Sequence, residues 1–286
     1  MAIDHYENFP VASWLCPAAL RPAIEAIYVF ARTADDIADE GDAPASQRLA
    51  DLAAYRDDLA RVAAGDGPSS RWPQVFGPLA PVLERHRLPE DLLASLLGAF
   101  VQDVTVRRYA DRPALLDYCR RSANPVGRLL LHLYGIDDAA AVARSDAICT
   151  ALQLANFWQD LGIDSRRGRL YVPETDCRRH GVDPDDLLAG RDGPAARALV
   201  LDLAGWSRQL MQSGAPLVHG IPGRAGWELR CVVQGGLRVL ERIERLSGAT
   251  LTERPTLGPR DLPAIVWRAL RMTNRGTPAD RPRPVG

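Results

Sequence analysis

Residues 20–40 read LRPAIEAIYVFARTADDIADE, and their spacing decides the fold. Ile24, Ile27, Tyr28, Ala31 and Ala34 or Asp35 recur at three- and four-residue intervals, as one stripe of a helix does. Gly41 supplies a stop. The same period continues through SQRLADLAAYRDDLARVAAG (46–65), which opens on Ser and closes on Gly. It predicts further helices near 72–86, 89–109, 113–135, 139–163, 194–214, 224–247 and 259–273. Pro89, Pro113 and Pro194 stand near helix starts, where a missing N–H does no harm. LYVP (170–173) predicts one short extended piece, and no longer stretch alternates with period two. Nothing repeats and no linker divides the chain. The expected architecture is all-α, a single helical domain over 1–275 with a disordered Pro/Arg-rich tail over 276–286.

Composition narrows the function. The 286 residues carry 47% hydrophobic and 25% charged side chains with a net charge of −1, so a sizeable core is expected and nucleic acid is not an expected partner. No run approaches the roughly 20 apolar residues of a membrane span. The first residues, MAIDHYENFPVASW, lack a basic region and do not read as a signal peptide. A cytoplasmic protein is expected. All 35 basic residues are Arg, which fits a GC-rich coding bias and leaves no lysine for a Schiff base or a P-loop. Phosphate would have to be held by Arg, backbone N–H groups or metal. Cys16, Cys119, Cys149, Cys177 and Cys231 form no C-x-x-C pair, and most of them read as buried thiols in a reducing compartment.

Two acidic clusters carry the chemistry. In Arg32-Thr33-Ala34-Asp35-Asp36-Ile37-Ala38-Asp39-Glu40, Asp35 and Asp39 share a helix face. A solvated helix end would show the same spacing, but the preceding AIYVFA is apolar and an acidic last turn opposes the helix dipole. In Gln153-Leu154-Ala155-Asn156-Phe157-Trp158-Gln159-Asp160-Leu161-Gly162-Ile163-Asp164, residues 153, 156, 160 and 164 line up as an oxygen-bearing stripe inside an otherwise apolar segment. Unpaired, such a stripe is costly to bury. Two helices facing each other with carboxylates four residues apart would suit Mg²⁺, a hard ion that binds through a few carboxylates plus substrate phosphates. The metal would make a diphosphate a good leaving group. Arg166-Arg167-Gly168-Arg169, just after the second cluster, reads as a phosphate clamp beside such a site.

At these residues the chain resembles the squalene/phytoene synthase family. FARTADDIADEGD and LQLANFWQDLGIDSRRGRLYVP match its two signature regions, and DYCRRSANPVG (117–127) matches the helix between them. The resemblance spans about residues 5–250. It implies an isoprenoid-synthase helical bundle around a central cavity, Mg²⁺ as cofactor, and a prenyl diphosphate substrate such as farnesyl or presqualene diphosphate. It also implies metal and diphosphate roles for Asp35, Asp36 and Asp39 and for Asn156, Asp160 and Asp164, with Asp35, Asp39, Asp160 and Asp164 essential to catalysis. Tyr28, Arg32, Arg169 and Tyr171 would contact diphosphate, and Gln153 would line the pocket. Three positions depart from the family pattern. Gln159 replaces an Arg common before the first Asp of the second motif, Gly236 falls where many members carry Tyr, and Asn124-Pro125 interrupts the Y-C-x-x-V-A-G-x-V-G pattern. With Glu7-Asn8-Phe9-Pro10, these features resemble the branch of the family that makes hydroxysqualene for hopanoids. That branch works beside a presqualene diphosphate synthase and a squalene-forming reductase.

Three functions remain open at this stage: water capture by the cation of presqualene diphosphate, head-to-head condensation of two farnesyl diphosphates, and a non-catalytic assembly relative. Retention of all six motif residues speaks against the last. Asn124, Gln153 and Asn156 are the candidates for placing a water. His5 would lie at the site rim, while the other histidines show no ligand spacing. Trp158 reads as core or as a cation stabiliser, and Phe30, Phe100 and Phe157 as channel lining or packing. The hydrocarbon substrate implies peripheral membrane association at the inner face.

Overall fold

The computed structural model describes residues 16–272. His5, Glu7-Asn8-Phe9-Pro10 and the tail expected over 276–286 lie outside them. The described chain is all-α, with no strand beyond one parallel bridge between Arg108 and Leu170. That bridge is the whole of the extended piece expected at 170–173.

Four helices form the first layer: α1 (Arg21–Asp39), α2 (Ala45–Ala63), α3 (Pro73–His86) and α4 (Glu90–Thr105). They enclose a core in which Phe30, Tyr55 and Phe76 meet with ring centroids 4.8–6.0 Å apart. The buried residues of α1 are Ala23, Ala26, Ile27, Phe30, Ala34 and Ala38; Ile27 and Ala34 of the expected stripe are among them, while Ile24, Tyr28 and Ala31 are half-buried beside them. The aromatic contact of Phe30 sets this rotation. Tyr28, Arg32, Asp35 and Asp39 therefore occupy a neighbouring, half-buried stripe of their own. Phe30 packs in the core and lines no channel.

The second layer holds α5 (Arg112–Ser122), α6 (Asn124–Leu133), α7 (Ala139–Gln159), α8 (Leu161–Arg166), α9 (Glu174–Arg179), α10 (Pro184–Leu188), α11 (Pro194–Gly214), α12 (Gly223–Arg245) and α13 (Leu262–Arg271). A 3₁₀ turn, Ala215–His219, links α11 to α12. The long helices α7 and α11 lie against each other at the centre. Trp158 is fully buried there and its indole N–H donates to Ser207 Oγ at 2.7 Å, so it serves the core and does not face a cation.

Two expected helices are split. The 113–135 segment breaks at Ala123, where Pro125 removes a backbone donor. The 139–163 segment ends at Gln159 and restarts at Leu161, so Asn156, Asp160 and Asp164 do not share one continuous helix. Gly162 lies hard against the carbonyl of Leu251, a contact that a Cβ would fill, and its N–H donates to Thr250 O at 3.3 Å. That tertiary contact fixes the break. Cys16, Cys119 and Cys177 are buried and all five cysteines are free thiols.

Candidate active site

The two acidic motifs meet at the end of α1. After α8 the chain turns through Arg166-Arg167-Gly168, and Arg169 N–H donates back to Asp164 O at 2.9 Å. This turn directs two guanidinium groups at α1. Arg169 forks onto Asp39, with Nη1 2.9 Å from Oδ2, and Arg167 stands 3.4 Å from the same carboxylate. On α1 itself, Arg32 pairs with Asp35 at 3.0 Å, Asp36 at 2.7 Å and Glu40 at 2.7 Å. A cavity of about 420 Å³ opens at this junction, lined by Asp39, Arg48, Arg107, Arg167 and Arg169.

Asp160 caps α7 and is held by Arg254, whose Nη2 lies 3.1 Å from Oδ2 and whose Nε donates to Oδ1. Arg254 comes from the loop after α12. The adjoining Gln159 is fully buried and donates to Pro255 O at 2.5 Å, so it anchors the loop that delivers this arginine. Arg is thus missing from position 159, but a guanidinium still reaches Asp160. At the second departure, a Cβ on Gly236 would fall 2.7 Å from Met211 Cε and 2.8 Å from Leu152 Cδ2, so a Tyr there would require both side chains to shift.

Asp164 has no hydrogen bond or ion pair to any described side chain. Its carboxyl is pushed up to about 7, first by burial and then by Asp160, against the pull of Arg169 and Arg167. Burial also lifts Asp35 to about 6 despite Arg32. Gln153 and Asn156 are half-buried on α7, two turns and one turn before Asp160 respectively, and their amides engage no described side chain. Asn124 is committed elsewhere: its Oδ1 accepts from Thr150 Oγ1 at 2.9 Å within the core.

One residue with no motif around it stands between the two clusters. Asp103, on α4, is buried and accepts from Tyr118 Oη at 2.7 Å and Tyr171 Oη at 3.3 Å, while Arg169 Nη2 donates to its main-chain oxygen at 3.3 Å. Burial raises it to about 6, partly offset by the Tyr118 hydroxyl and Arg169. Its two tyrosines belong to a nest of rings. Tyr171 stacks on Phe157 with centroids 3.8 Å apart and planes 4° from parallel, and Tyr109 and Tyr118 lie 5.7 and 5.8 Å from Tyr171. The segment 170–175 is held there by backbone bonds from Leu170 to Arg107 and from Glu174 to Tyr109. Asp103, Arg254 and Tyr109 are the members that sequence reasoning missed.

The set of oxygen donors fits a hard divalent ion, since it contains Asp, Asn and Gln and no sulfur or imidazole. Among the described residues no three His, Cys, Asp or Glu side chains close into a metal cage by themselves. Arg169 and Arg254 occupy two of the motif carboxylates, Asp39 and Asp160.

A model of the squalene/phytoene synthase family matches residues 3–261. The chain belongs to that family. It is similar to a hydroxysqualene synthase of Rhodopseudomonas palustris, 35% identical over 255 residues that cover 88% of this chain and 84% of the relative. It is also similar to a presqualene diphosphate synthase of the same organism, 33% identical over 201 residues, 69% of this chain and 70% of that one. Among solved structures, squalene synthase HpnC from Alicyclobacillus acidocaldarius superposes with a TM-score of 0.78 at 35% identity, covering 86% of this chain and 91% of the other. The family is one of enzymes that process prenyl diphosphates, and the expected isoprenoid-synthase fold holds.

Proposed function

We propose that the protein ionises presqualene diphosphate and lets water capture the rearranged cation, giving hydroxysqualene and diphosphate. The observation that carries this reading is the meeting of both acidic motifs, through Asp39 and Arg169, beside a nest of four aromatic rings. Similarity to a hydroxysqualene synthase over most of both chains favours this branch.

Asp35, Asp39, Asn156, Asp160 and Asp164 would hold Mg²⁺, with Asp36 beside them. Bound there, the ion supplies Lewis-acid neutralisation of the leaving diphosphate. Arg32, Arg167, Arg169 and Arg254 each sit on a motif carboxylate now, and each can exchange that partner for a diphosphate oxygen. The C–O bond of the substrate breaks with its electron pair leaving on diphosphate. The cyclopropylcarbinyl cation rearranges, water adds through its oxygen, and the added water gives up one proton. Tyr171, the half-buried ring of this nest, would turn the negative side of its π system to the cation, with Phe157, Tyr118 and Tyr109 packed behind it. Asp103 holds the Tyr118 and Tyr171 hydroxyls and so fixes ring orientation; its role is positioning. With Asn124 tied to Thr150, Gln153 and Asn156 are the amides placed to hold the capturing water and pass on its proton. Tyr28, one turn before Arg32, borders the same stripe.

The alternative is head-to-head condensation of two farnesyl diphosphates, supported by the similarity to a presqualene diphosphate synthase. Purified protein with Mg²⁺ and no reductant, offered each substrate separately, distinguishes them. An alcohol from presqualene diphosphate and no product from farnesyl diphosphate is expected. Presqualene diphosphate formed from farnesyl diphosphate would favour the alternative. For the proposed reaction, the neighbouring steps require an enzyme that makes presqualene diphosphate and one that reduces hydroxysqualene. No described helix is long and apolar enough to cross a membrane, so access to hydrocarbon substrate would be from the bilayer surface.

A further inference from the structure

Helix α13 turns its apolar face outward. Leu262, Val266, Trp267 and Leu270 are 58, 48, 55 and 57% exposed, while Ile265 and Ala269 are buried against the bundle. At 100° per residue the four exposed side chains span an arc of about 140°. The rotation is fixed. Arg268 pairs with Glu241 of α12, and Arg238 of α12 bridges Glu241 at 2.8 Å and Asp261 at 2.7 Å, just before α13 begins. The helix is thus clamped by ion pairs along its sides and buried on its inner side, and its outer face is left for a partner.

Charge identifies the partner. Arg271 lies at the edge of the apolar arc with its guanidinium 3.9 Å over the Trp267 ring. From residue 260 onward the chain carries six arginines against two aspartates. One of the two, Asp261, is buried and already paired with Arg238 and Arg242. An apolar arc that includes Trp, bordered by arginine, fits the interfacial plane of an anionic bilayer, where the indole sits at headgroup depth and Arg reaches lipid phosphate. A second copy fits less well. Ten residues make a helix about 15 Å long, too small a stripe for the roughly 800 Å² per partner of a stable dimer.

We propose that the outer face of α13 docks this protein on anionic lipid surfaces, with Trp267 and Leu270 inserted and Arg271 at the phosphates. The inference goes beyond the reaction and does not rest on it. The full-length protein is sedimented with vesicles of phosphatidylcholine alone and of phosphatidylcholine mixed with phosphatidylglycerol. The wild type is expected to bind the mixed vesicles, and Trp267→Gln/Leu270→Gln to lose about tenfold in partitioning while keeping its Tm. Arg271→Ser is expected to lose most of the preference for the mixed vesicles and to bind phosphatidylcholine as the wild type does. Activity on detergent-dispersed substrate should be the same in all three, so failure of docking and failure of the proposed reaction read out separately. The proposal is overturned if the wild type binds neither vesicle or if the double variant binds as well as wild type. It is also overturned if the double variant instead dissolves a dimer seen by light scattering. A Trp267 protected from an aqueous quencher without lipid would show that residues 1–15 or 273–286 cover the face, and would overturn it as well.

Discussion

Two acidic regions of this molecule, one buried and one half-buried, are built in opposite ways. At Asp261, burial favours the neutral acid, but the Gly258 N–H at 3.0 Å and the guanidinium groups of Arg238 and Arg242 outweigh it and hold the carboxyl down at about 2. At the motif junction, burial wins: Asp35 and Asp103 rise to about 6 and Asp164 to about 7. The scaffold carboxylate has all its compensation within the chain. The junction carboxylates are short of it, although Arg32, Arg167, Arg169 and Arg254 each pair with a motif carboxylate. Under-compensated negative charge in a half-buried pocket is what a site for an exogenous cation requires, and perturbed carboxylates cluster at functional sites for this reason.

The contrast can be broken first at Asp164. Asp164→Ala should lower kcat/KM about a thousandfold or more, as loss of a group that binds the charge-stabilising ion does. Far-UV circular dichroism should be unchanged, and the metal-free Tm should hold or rise, because a buried charge with incomplete compensation is removed. Wild-type activity in this variant would remove Asp164 from the metal set. Asp261→Ala should do the reverse. It strips the partner from two arginines and should cost about 3 kcal/mol in denaturant unfolding, with little change in turnover per folded molecule.

Asp103→Asn sharpens the comparison inside the site. The amide keeps an acceptor for Tyr118 but loses the charge, and a loss of about tenfold in kcat is expected with KM little changed. A KM-only effect would place Asp103 in substrate binding instead. The smallest effect is on stability against pH. The ordinary carboxylate value is 3.8 and the folded value of Asp103 is about 6, so the fold favours the protonated acid. The associated stability is complete below pH about 4 and is lost as pH rises through 6. Thermal scans from pH 4 to 7 should therefore show Tm falling more steeply in wild type than in Asp103→Asn.

How far the sequence could be read follows the same division. The ends of α1 and α11 were legible from periodicity and from Pro and Gly, because those signals are local. The motif carboxylates stand out as candidates because both sets lie within single short segments. Asp103 was not, as a lone acid in the apolar segment LLGAFVQDV carries no local mark of the two phenols that reach it from α5 and residue 171. Arg254 was invisible for a similar reason: a loop more than ninety residues away presents it to Asp160, and the buried Gln159 side chain fixes that loop. On α1 the expected stripe held Ile27 and Ala34 but missed Phe30, because hydrophobicity alone does not reveal that Phe30 must meet Tyr55 and Phe76. The break at Asp160 depends on the contact of Gly162 with Leu251, which no window of sequence contains.

The central claim is that a cation formed at this site ends on water. It is tested most directly by incubating the purified protein with presqualene diphosphate and Mg²⁺ in isotopically labelled water, with and without NADPH, and analysing the product by mass spectrometry. The account predicts hydroxysqualene carrying oxygen from the solvent, in equal yield under both conditions. Squalene formed only when NADPH is present, with no labelled alcohol, would contradict it.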